Sequence, residues 1–132
     1  MKARYNYRVY PKQSQLVPLA KAFGSARVVW NDALWLYKQA FKEEKELPKN
    51  ISKLVTTDAK KTASRHWLKE VSSVVLQQSV NDLKTAWKNY FESKNGKRKG
   101  FIVGKPKWKK KQSRQAIRFT RNAFKLHSES VE

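Results

Sequence analysis

The stretch VVLQQSVNDLKTAWKNYF, residues 74–91, decides the fold class of this chain. Its apolar side chains recur at the spacing of one helical face: Leu76, Val80, Leu83, Trp87 and Tyr90 or Phe91. Ser72 or Ser73 can cap this helix, because a serine hydroxyl accepts a hydrogen bond from the first free backbone amides. The pattern predicts an amphipathic helix that forms one side of a hydrophobic core.

A second helical pattern lies in the N-terminal third of the chain. Over Ser25–Glu44 the apolar residues again form one stripe: Val29, Trp30, Ala33, Leu34, Tyr37 and Phe41. A shorter helix is predicted over Ser14–Ala22, where Pro18 is tolerable only within the first turn. Gly24–Ser25 indicates a helix end followed by a new cap, so we expect a turn there. Helix, glycine turn, helix is the outline of a helix-turn-helix, although many bundles that do not bind DNA share it.

Weaker patterns occupy the middle and the two ends of the chain. Asn50 can cap a further helix that fades near Ser64, and Trp67-Leu68 indicates a buried anchor. Residues 2–10 and 115–121 alternate between polar and apolar side chains, which is typical of half-buried strands. Two strands cannot cover both faces of a sheet. The sequence therefore predicts a mainly helical unit inserted between two strands of an incomplete β element.

The positive charge of the chain is concentrated near its C-terminus. Between Ser93 and Ser128 there is no acidic residue and there are 13 Lys and Arg, whereas the other 96 residues carry 17 basic and 10 acidic side chains. Such a segment can follow a phosphate backbone, with Trp108 or Phe101 able to stack on bases. Its glycines and Pro106 disfavour the basic amphipathic helix that membrane binding would need. The composition predicts a nucleic-acid binder.

Several kinds of chemistry have no support in the sequence. The absence of cysteine excludes disulfides and cysteine-ligated metal sites within these residues, and His66 and His127 lack metal-ligand spacing. Asp32, Asp58 and Asp82 each fall on a predicted helix, where a solvated carboxylate is the plain interpretation. No apolar run approaches the length of a membrane span. We therefore expect a protein without enzymatic activity, cofactor or membrane contact, in the cytoplasm and associated with the nucleoid when DNA-bound.

Three segments occur in an order that resembles a known family. They are YRVYPKQSQLVPLAKAFGSARVVWNDAL at 7–34, WLKEVSSVVLQQSVNDLKTAWKNYF at 67–91 and GKPKWKKKQSRQAIRFT at 104–120. Together they resemble the N-terminal region of the TnpB/OrfB proteins of insertion sequences, with coverage from residue 4 to about residue 122. No single segment is specific, but the ordered set is.

The resemblance implies an architecture and a set of partners. Members of that family are RNA-guided DNA endonucleases in which helices form a recognition lobe inserted into a wedge-like β-barrel. Their RuvC-like nuclease domain and zinc ribbon lie further downstream, so the resemblance implies a fragment that binds DNA and guide RNA but does not cut. A missing C-terminal nuclease portion or a second copy of the chain would be a further partner. The implied divisions are the first wedge strand at 1–11, the helical recognition domain at 12–93, a basic loop at 94–114, and the return strand with a frayed C-terminus at 115–132.

The resemblance also implies which residues contact nucleic acid. The positions that match the family's readers of a short motif beside the target are Lys53, Ser73, Val74, Gln77 and Thr120. A glutamine can bind adenine through two hydrogen bonds in the major groove, which suits Gln77. Ser73 and Val74 depart from the Lys and Phe expected there, which leaves the motif open. The expected backbone contacts are Arg4, Arg8, Lys97, Arg98, Lys99, Lys105, Lys107, Lys109, Lys110, Lys111, Arg114, Arg118 and Arg121, with Trp108 stacking on a base.

Two alternatives remain open from the sequence. The chain could be a DNA-binding regulator that uses Ser25–Phe41 as its recognition helix and binds two half-sites as a dimer. It could also be the remnant of a decayed gene, with basic but unselective binding.

Overall fold

The computed structural model describes Tyr10, residues 12–111 and Ile117. Within them the chain forms three α-helices, α1 at Gln13–Lys42, α2 at Ile51–Val55 and α3 at Ser73–Lys94, with 3-10 turns at Ala59–Lys61 and His66–Glu70. The predicted mainly helical fold is therefore confirmed. The described residues contain no strand. The strands predicted at 2–10 and 115–121 lie outside them, apart from Tyr10 and Ile117, so the incomplete β-barrel stays a prediction.

Helix α1 is continuous over its 30 residues, so the turn predicted at Gly24–Ser25 is wrong. Gly24 has no left-handed backbone, and a Cβ there would meet only a guanidinium nitrogen of Arg27 at 3.9 Å. Glycine inside a helix costs about 1 kcal/mol relative to alanine. Burial of the stripe that begins with Ala26 and Val29, which are 6% and 0% exposed, outweighs that cost.

Pro18 lies in the second turn of α1, beyond the first turn to which the sequence confined it. Its ring nitrogen cannot donate the helical hydrogen bond that the carbonyl of Ser14 would accept. Both residues are exposed, so water can supply a partner for that carbonyl. Helix α1 continues through Pro18.

Helix α3 follows the sequence prediction closely. Ser72 caps it, with its Oγ accepting a hydrogen bond from the amide of Val74 at 3.3 Å. From Leu76 to Trp87 the predicted stripe is buried against α1, and the fully enclosed side chains include Leu76, Val80 and Leu83. One polar contact joins the two helices inside this core, because the hydroxyl of Ser79 donates to the carbonyl of Ala26 at 2.7 Å.

The segment between α1 and α3 is less regular than predicted. Helix α2 ends at Val55 rather than near Ser64, and 3-10 turns follow it. Leu68 is fully buried, as the anchor prediction required. Arg65 fixes the segment to α1, because its guanidinium donates two hydrogen bonds to the carboxylate of Asp32, at 2.9 and 3.2 Å. None of the helices in the described part of the chain is long and apolar enough to cross a membrane.

Candidate nucleic-acid interface

Residues 97–111, which we call the strap, run in irregular conformation beside α1 and α3. The side chain of Asn31 pairs with the backbone of Lys109: its Nδ2 donates to the Lys109 carbonyl at 3.0 Å, and its Oδ1 accepts from the Lys109 amide at 2.9 Å. One residue earlier in α1, the indole of Trp30 donates to the carbonyl of Lys107 at 2.9 Å. Two neighbouring side chains of α1 thus hold a short length of basic backbone.

Further contacts fix the strap at its other end. The hydroxyl of Ser93, near the end of α3, accepts a hydrogen bond from the amide of Val103 at 3.0 Å. Pro106 is buried between this point and the Asn31 anchor. Arg98 donates to the amide oxygen of Asn89 on α3 at 3.2 Å. The predicted basic loop is therefore a segment held against both long helices.

Most of the predicted backbone-binding cations project from the strap. The exposed ones are Lys97, Arg98, Lys99, Lys105, Lys107, Lys110 and Lys111. Because the anchoring bonds use main-chain atoms of Lys107 and Lys109, they leave the ammonium of Lys107 exposed. Arg4, Arg8, Arg114, Arg118 and Arg121 lie outside the described residues.

Lys109 differs from the other cations of the strap. Its side chain is partly buried, and its Nζ lies 4.2 Å from the ring centroid of Trp30, a cation–π contact. Burial lowers the pKa of Lys109, and the nearby charge of Asp82 partly opposes that effect. Its geometry suits anchoring of the strap more than a fully exposed phosphate contact.

The aromatic side chains of the strap differ in how much ring they offer. Trp108 is 44% exposed, and the ammonium of Lys38 lies 5.2 Å from its ring centroid. Phe101 is 97% exposed and the adjacent Ile102 is 91% exposed. Phe101 therefore offers more free ring for stacking on a base than Trp108, the residue singled out from the sequence.

The predicted motif readers occupy two separate elements. Ser73, Val74 and Gln77 lie in the first turns of α3, where Ser73 and Gln77 are exposed and Val74 is half-buried. That first turn carries no acidic side chain, so the positive end of the helix dipole is not neutralised there. Lys53 is exposed on α2. Thr120 lies outside the described residues.

The structure adds Asn81, Lys84 and Lys88, which the sequence reasoning missed, to the face of α3 that carries Gln77. Gln77, Asn81, Lys84 and Lys88 are all exposed and lie four, three and four residues apart, so they form one face of α3 opposite the buried stripe. We call this the polar face of α3. A long ion pair joins Lys88 on this face to Glu92, with 3.9 Å between the ammonium nitrogen and a carboxylate oxygen. The spacing was visible in the sequence as the complement of the apolar stripe.

The alternative recognition helix, Ser25–Phe41, is occupied by the core. Its buried positions are Ser25, Ala26, Val29, Trp30, Ala33, Leu34, Tyr37 and Ala40. Its exposed side chains are Trp35, Lys38 and Phe41, and Arg27 and Gln39 are half-buried. This half of α1 packs most of its length against the core, and the regulator hypothesis stays an untested alternative.

The acidic and histidine side chains serve local structure. Asp32, interpreted from the sequence as a solvated carboxylate, is engaged by Arg65, and this hydrogen bond raises the pKa of Arg65. Nδ1 of His66 lies 2.9 Å from the carbonyl of Ala63, a local contact within its own turn. Within Tyr10, residues 12–111 and Ile117, no group of three or more His, Cys, Asp or Glu is arranged to hold a metal ion.

The sequence of this chain is similar to one protein family and to two known proteins. The model of a family described as a helix-turn-helix domain, that of OrfB proteins of the IS605 type, matches residues 1–46. A Streptomyces pristinaespiralis protein named "Putative RNA-guided DNA endonuclease" is 36% identical over 126 residues, which are 94% of this chain and 29% of that protein. Virulence protein VsdF of Salmonella dublin is 32% identical over 94 residues, which are 65% of this chain and 79% of that protein. The chain thus spans less than a third of the Streptomyces relative and most of VsdF.

Proposed function

The chain belongs to the TnpB/OrfB family of insertion-sequence proteins, and from this premise we propose that its residues bind nucleic acid through the strap and the N-terminal part of α3. The strap holds phosphates of RNA or of an RNA–DNA heteroduplex. The start of α3 faces duplex DNA. In this division of roles, phosphate contacts set the position of the complex and a few base contacts select the sequence.

The observation that carries the proposal is the anchoring of an acid-free strap by its main chain. The hydrogen bonds that Trp30 and Asn31 form with the strap use backbone atoms of Lys107 and Lys109, so the exposed ammonium of Lys107 stays available to phosphates. Residues 93–128 contain no carboxylate, although the charge of Asp82 on α3 acts on Lys109. A row of fixed cations gains affinity by releasing counterions, and that gain is independent of sequence.

Selection of a sequence falls to the first turns of α3. Gln77 is exposed there with a donor and an acceptor on one side chain, as a bidentate contact to adenine requires. The polar face of α3 continues from Gln77 through Asn81 to Lys84 and Lys88. A duplex lying on this face would meet amides at one end and cations at the other.

The name of the Streptomyces relative suggests the partners. We propose that guide RNA and target DNA are the nucleic acids bound, and that these 132 residues contribute binding rather than cleavage. The same binding surface would serve in a chain of any greater length, because its contacts are all made by residues of α1, α3 and the strap.

The first test is the salt dependence of binding. If about six to eight cations engage phosphates, affinity should fall by roughly three to four decades between about 50 and 200 mM salt. The double variant Lys107→Gln/Lys110→Gln should weaken binding to every sequence and reduce the slope of log affinity against log salt by about two. The control Lys60→Gln/Lys61→Gln removes the same charge from the 3-10 turn outside the strap and should change the slope little. Equal slopes for both variants would remove the strap from the interface.

The second test concerns selection. Gln77→Ala should reduce discrimination among duplexes with different flanking motifs and leave the salt slope unchanged, measured by gel shift. Gln78→Ala is the matched control, because the neighbouring side chain points about 100° away around the helix. Equal affinity for transposon-end RNA, motif-bearing duplex and unrelated RNA at moderate salt would leave only unselective binding, as expected of a decayed gene. Tight duplex binding as a dimer without RNA would instead support a regulator.

A further inference from the structure

A cavity of about 370 Å³ opens at the end of α3 opposite the proposed motif readers. Its walls are aromatic: Phe41 of α1 and Trp87, Tyr90 and Phe91 of α3. The rings contact one another at their edges and faces, with Phe41 and Phe91 5.8 Å apart between centroids in a T-shaped arrangement. Phe41 is 41% and Phe91 40% exposed, so the core leaves large parts of both rings uncovered.

The rim of this aromatic cavity is cationic. Lys38 comes from α1, Lys94 from the last turn of α3 and Lys105 from the strap, so three separate segments each contribute one lysine. The Nζ of Lys38 also lies 5.2 Å from the ring centroid of Trp108. No carboxylate lines the cavity. The chemistry of the site is therefore a flat apolar interior with positive charge at its mouth, which complements a planar ring attached to an anion.

We propose that the aromatic cavity takes one unpaired nucleobase, with the adjoining phosphates on Lys38, Lys94 and Lys105. The inference rests on the proposed nucleic-acid binding and adds to it a site for a nucleotide outside the duplex. Bases stack on aromatic rings with little sequence preference because every base has a π face. The position agrees with the course of the strap, since Lys105 brings the phosphate-binding segment to the edge of the cavity.

The test uses two hairpins of equal charge, one fully paired and one with a single bulged 2-aminopurine, each made as RNA and as DNA. The wild-type chain should bind the bulged hairpin about five- to a hundredfold more tightly than the paired one, the range of one base-stacking contact. The fluorescence of 2-aminopurine should fall on binding, because stacking on a ring quenches it. The RNA and DNA arms show from which nucleic acid the unpaired nucleotide comes.

Variants decide whether the cavity is responsible. Phe91→Ala should abolish the preference for the bulged hairpin and leave affinity for the paired hairpin unchanged. Phe91→Leu keeps the apolar volume while removing the ring, so it should have the same effect even if the alanine variant does not fold. Trp35→Leu removes an exposed ring of α1 outside the cavity and should retain the preference.

Other outcomes overturn the inference. Equal wild-type affinity for the two hairpins would remove the nucleotide site and leave the proposed function standing. Loss of the preference in Phe101→Ala with retention in Phe91→Leu would move the stacking to the tip of the strap. Binding to neither hairpin would overturn both the site and the proposed function.

Discussion

The α1–α3 pair and the strap are held in place by different means. The two helices bury a continuous apolar stripe, in which Val29, Leu34 and Leu83 are fully enclosed. In the strap only Pro106 is buried, and the strap's position depends on hydrogen bonds that its backbone forms with the side chains of Trp30, Asn31 and Ser93. Burial of apolar surface stabilises the α1–α3 pair, whereas a few hydrogen bonds position the strap.

The difference shows how a highly charged segment can be fixed without a core of its own. Folding the strap's lysines into a hydrophobic core would require their ammonium groups to lose water, which costs several kcal/mol for each charge. Binding the strap through backbone atoms avoids that cost for all but Lys109. A few side chains on α1 therefore order a segment whose charge stays available for phosphate.

The largest effect is expected in the helix pair. Leu83→Ala deletes a fully buried side chain, so the free energy of unfolding should fall by about 2–5 kcal/mol in urea denaturation. Phe101→Ala, at a side chain that is 97% exposed in the strap, should change it by about 0.5 kcal/mol or less. Comparable losses in the two variants would mean that the strap is packed as tightly as the helices.

A smaller loss is expected from the anchor of the strap. Asn31→Ala removes both hydrogen bonds to the Lys109 backbone and should cost about 1–2 kcal/mol. Hydrogen exchange should quicken at the amide of Lys109, while the amides in the middle of α3 keep their protection. Asn81→Ala, on the polar face of α3, is the control and should alter neither. Unchanged protection at Lys109 in Asn31→Ala would show that other contacts hold the strap.

The sequence predicted the helix pair well because its signal is local. Leu76, Val80 and Leu83 repeat at helical spacing within one short segment, and Ser72 marks its start. The failure at Gly24 has the opposite cause: a local turn signal was outweighed by burial of the stripe on both sides of it. Propensity at one residue is worth about 1 kcal/mol, whereas burying one large apolar side chain is worth about 1.5–3 kcal/mol.

The candidate site was predictable in its charge but not in its geometry. The run of lysines predicted phosphate affinity. Gln77 lies on an exposed turn of α3, where the sequence predicted it. Asn31 and Lys109 are 78 residues apart in sequence, and no periodicity links them. The aromatic cavity was missed because Phe41 and Phe91 fit the core pattern, and only the packed structure shows that their rings are left partly uncovered.

The same substitution, tryptophan to phenylalanine, can be made at Trp30, which contacts the strap, and at Trp87 in the helix pair. The Nε1 of Trp30 donates to the strap, whereas the buried Nε1 of Trp87 has no acceptor among the described residues. Trp87→Phe removes a donor that is costly to bury unpaired, and this offsets part of the volume lost. Trp30→Phe removes a hydrogen bond and should lower the free energy of unfolding by about 1 kcal/mol more than Trp87→Phe does, measured by urea denaturation. Equal losses would contradict the anchoring role of the Trp30 indole.

The smallest expected effect is on the pH dependence of stability, which should differ in sign between the helix pair and the strap at alkaline pH. Burial raises the pKa of Tyr37 in the helix pair, so above about pH 10 the unfolded chain loses this proton first and stability falls as the pH rises. Burial lowers the pKa of Lys109 in the strap, so the unfolded chain keeps that proton longer. Between its lowered pKa and the usual lysine value of about 10.4, Lys109 adds stability as the pH rises.

Unfolding free energies of wild type, Tyr37→Phe and Lys109→Gln, compared across that alkaline range, check these opposite signs. Tyr37→Phe should lose less stability than wild type as the pH increases, because no phenol remains to ionise in the unfolded chain. Lys109→Gln should lose more, because the compensating gain from the buried ammonium is gone. The cation–π contact of Lys109 exists only while the side chain is protonated, so the slopes of the curves rather than their absolute values carry the comparison. If the free energy of unfolding had the same pH dependence in all three chains, then Tyr37 and Lys109 would each have the same pKa in the folded and the unfolded chain.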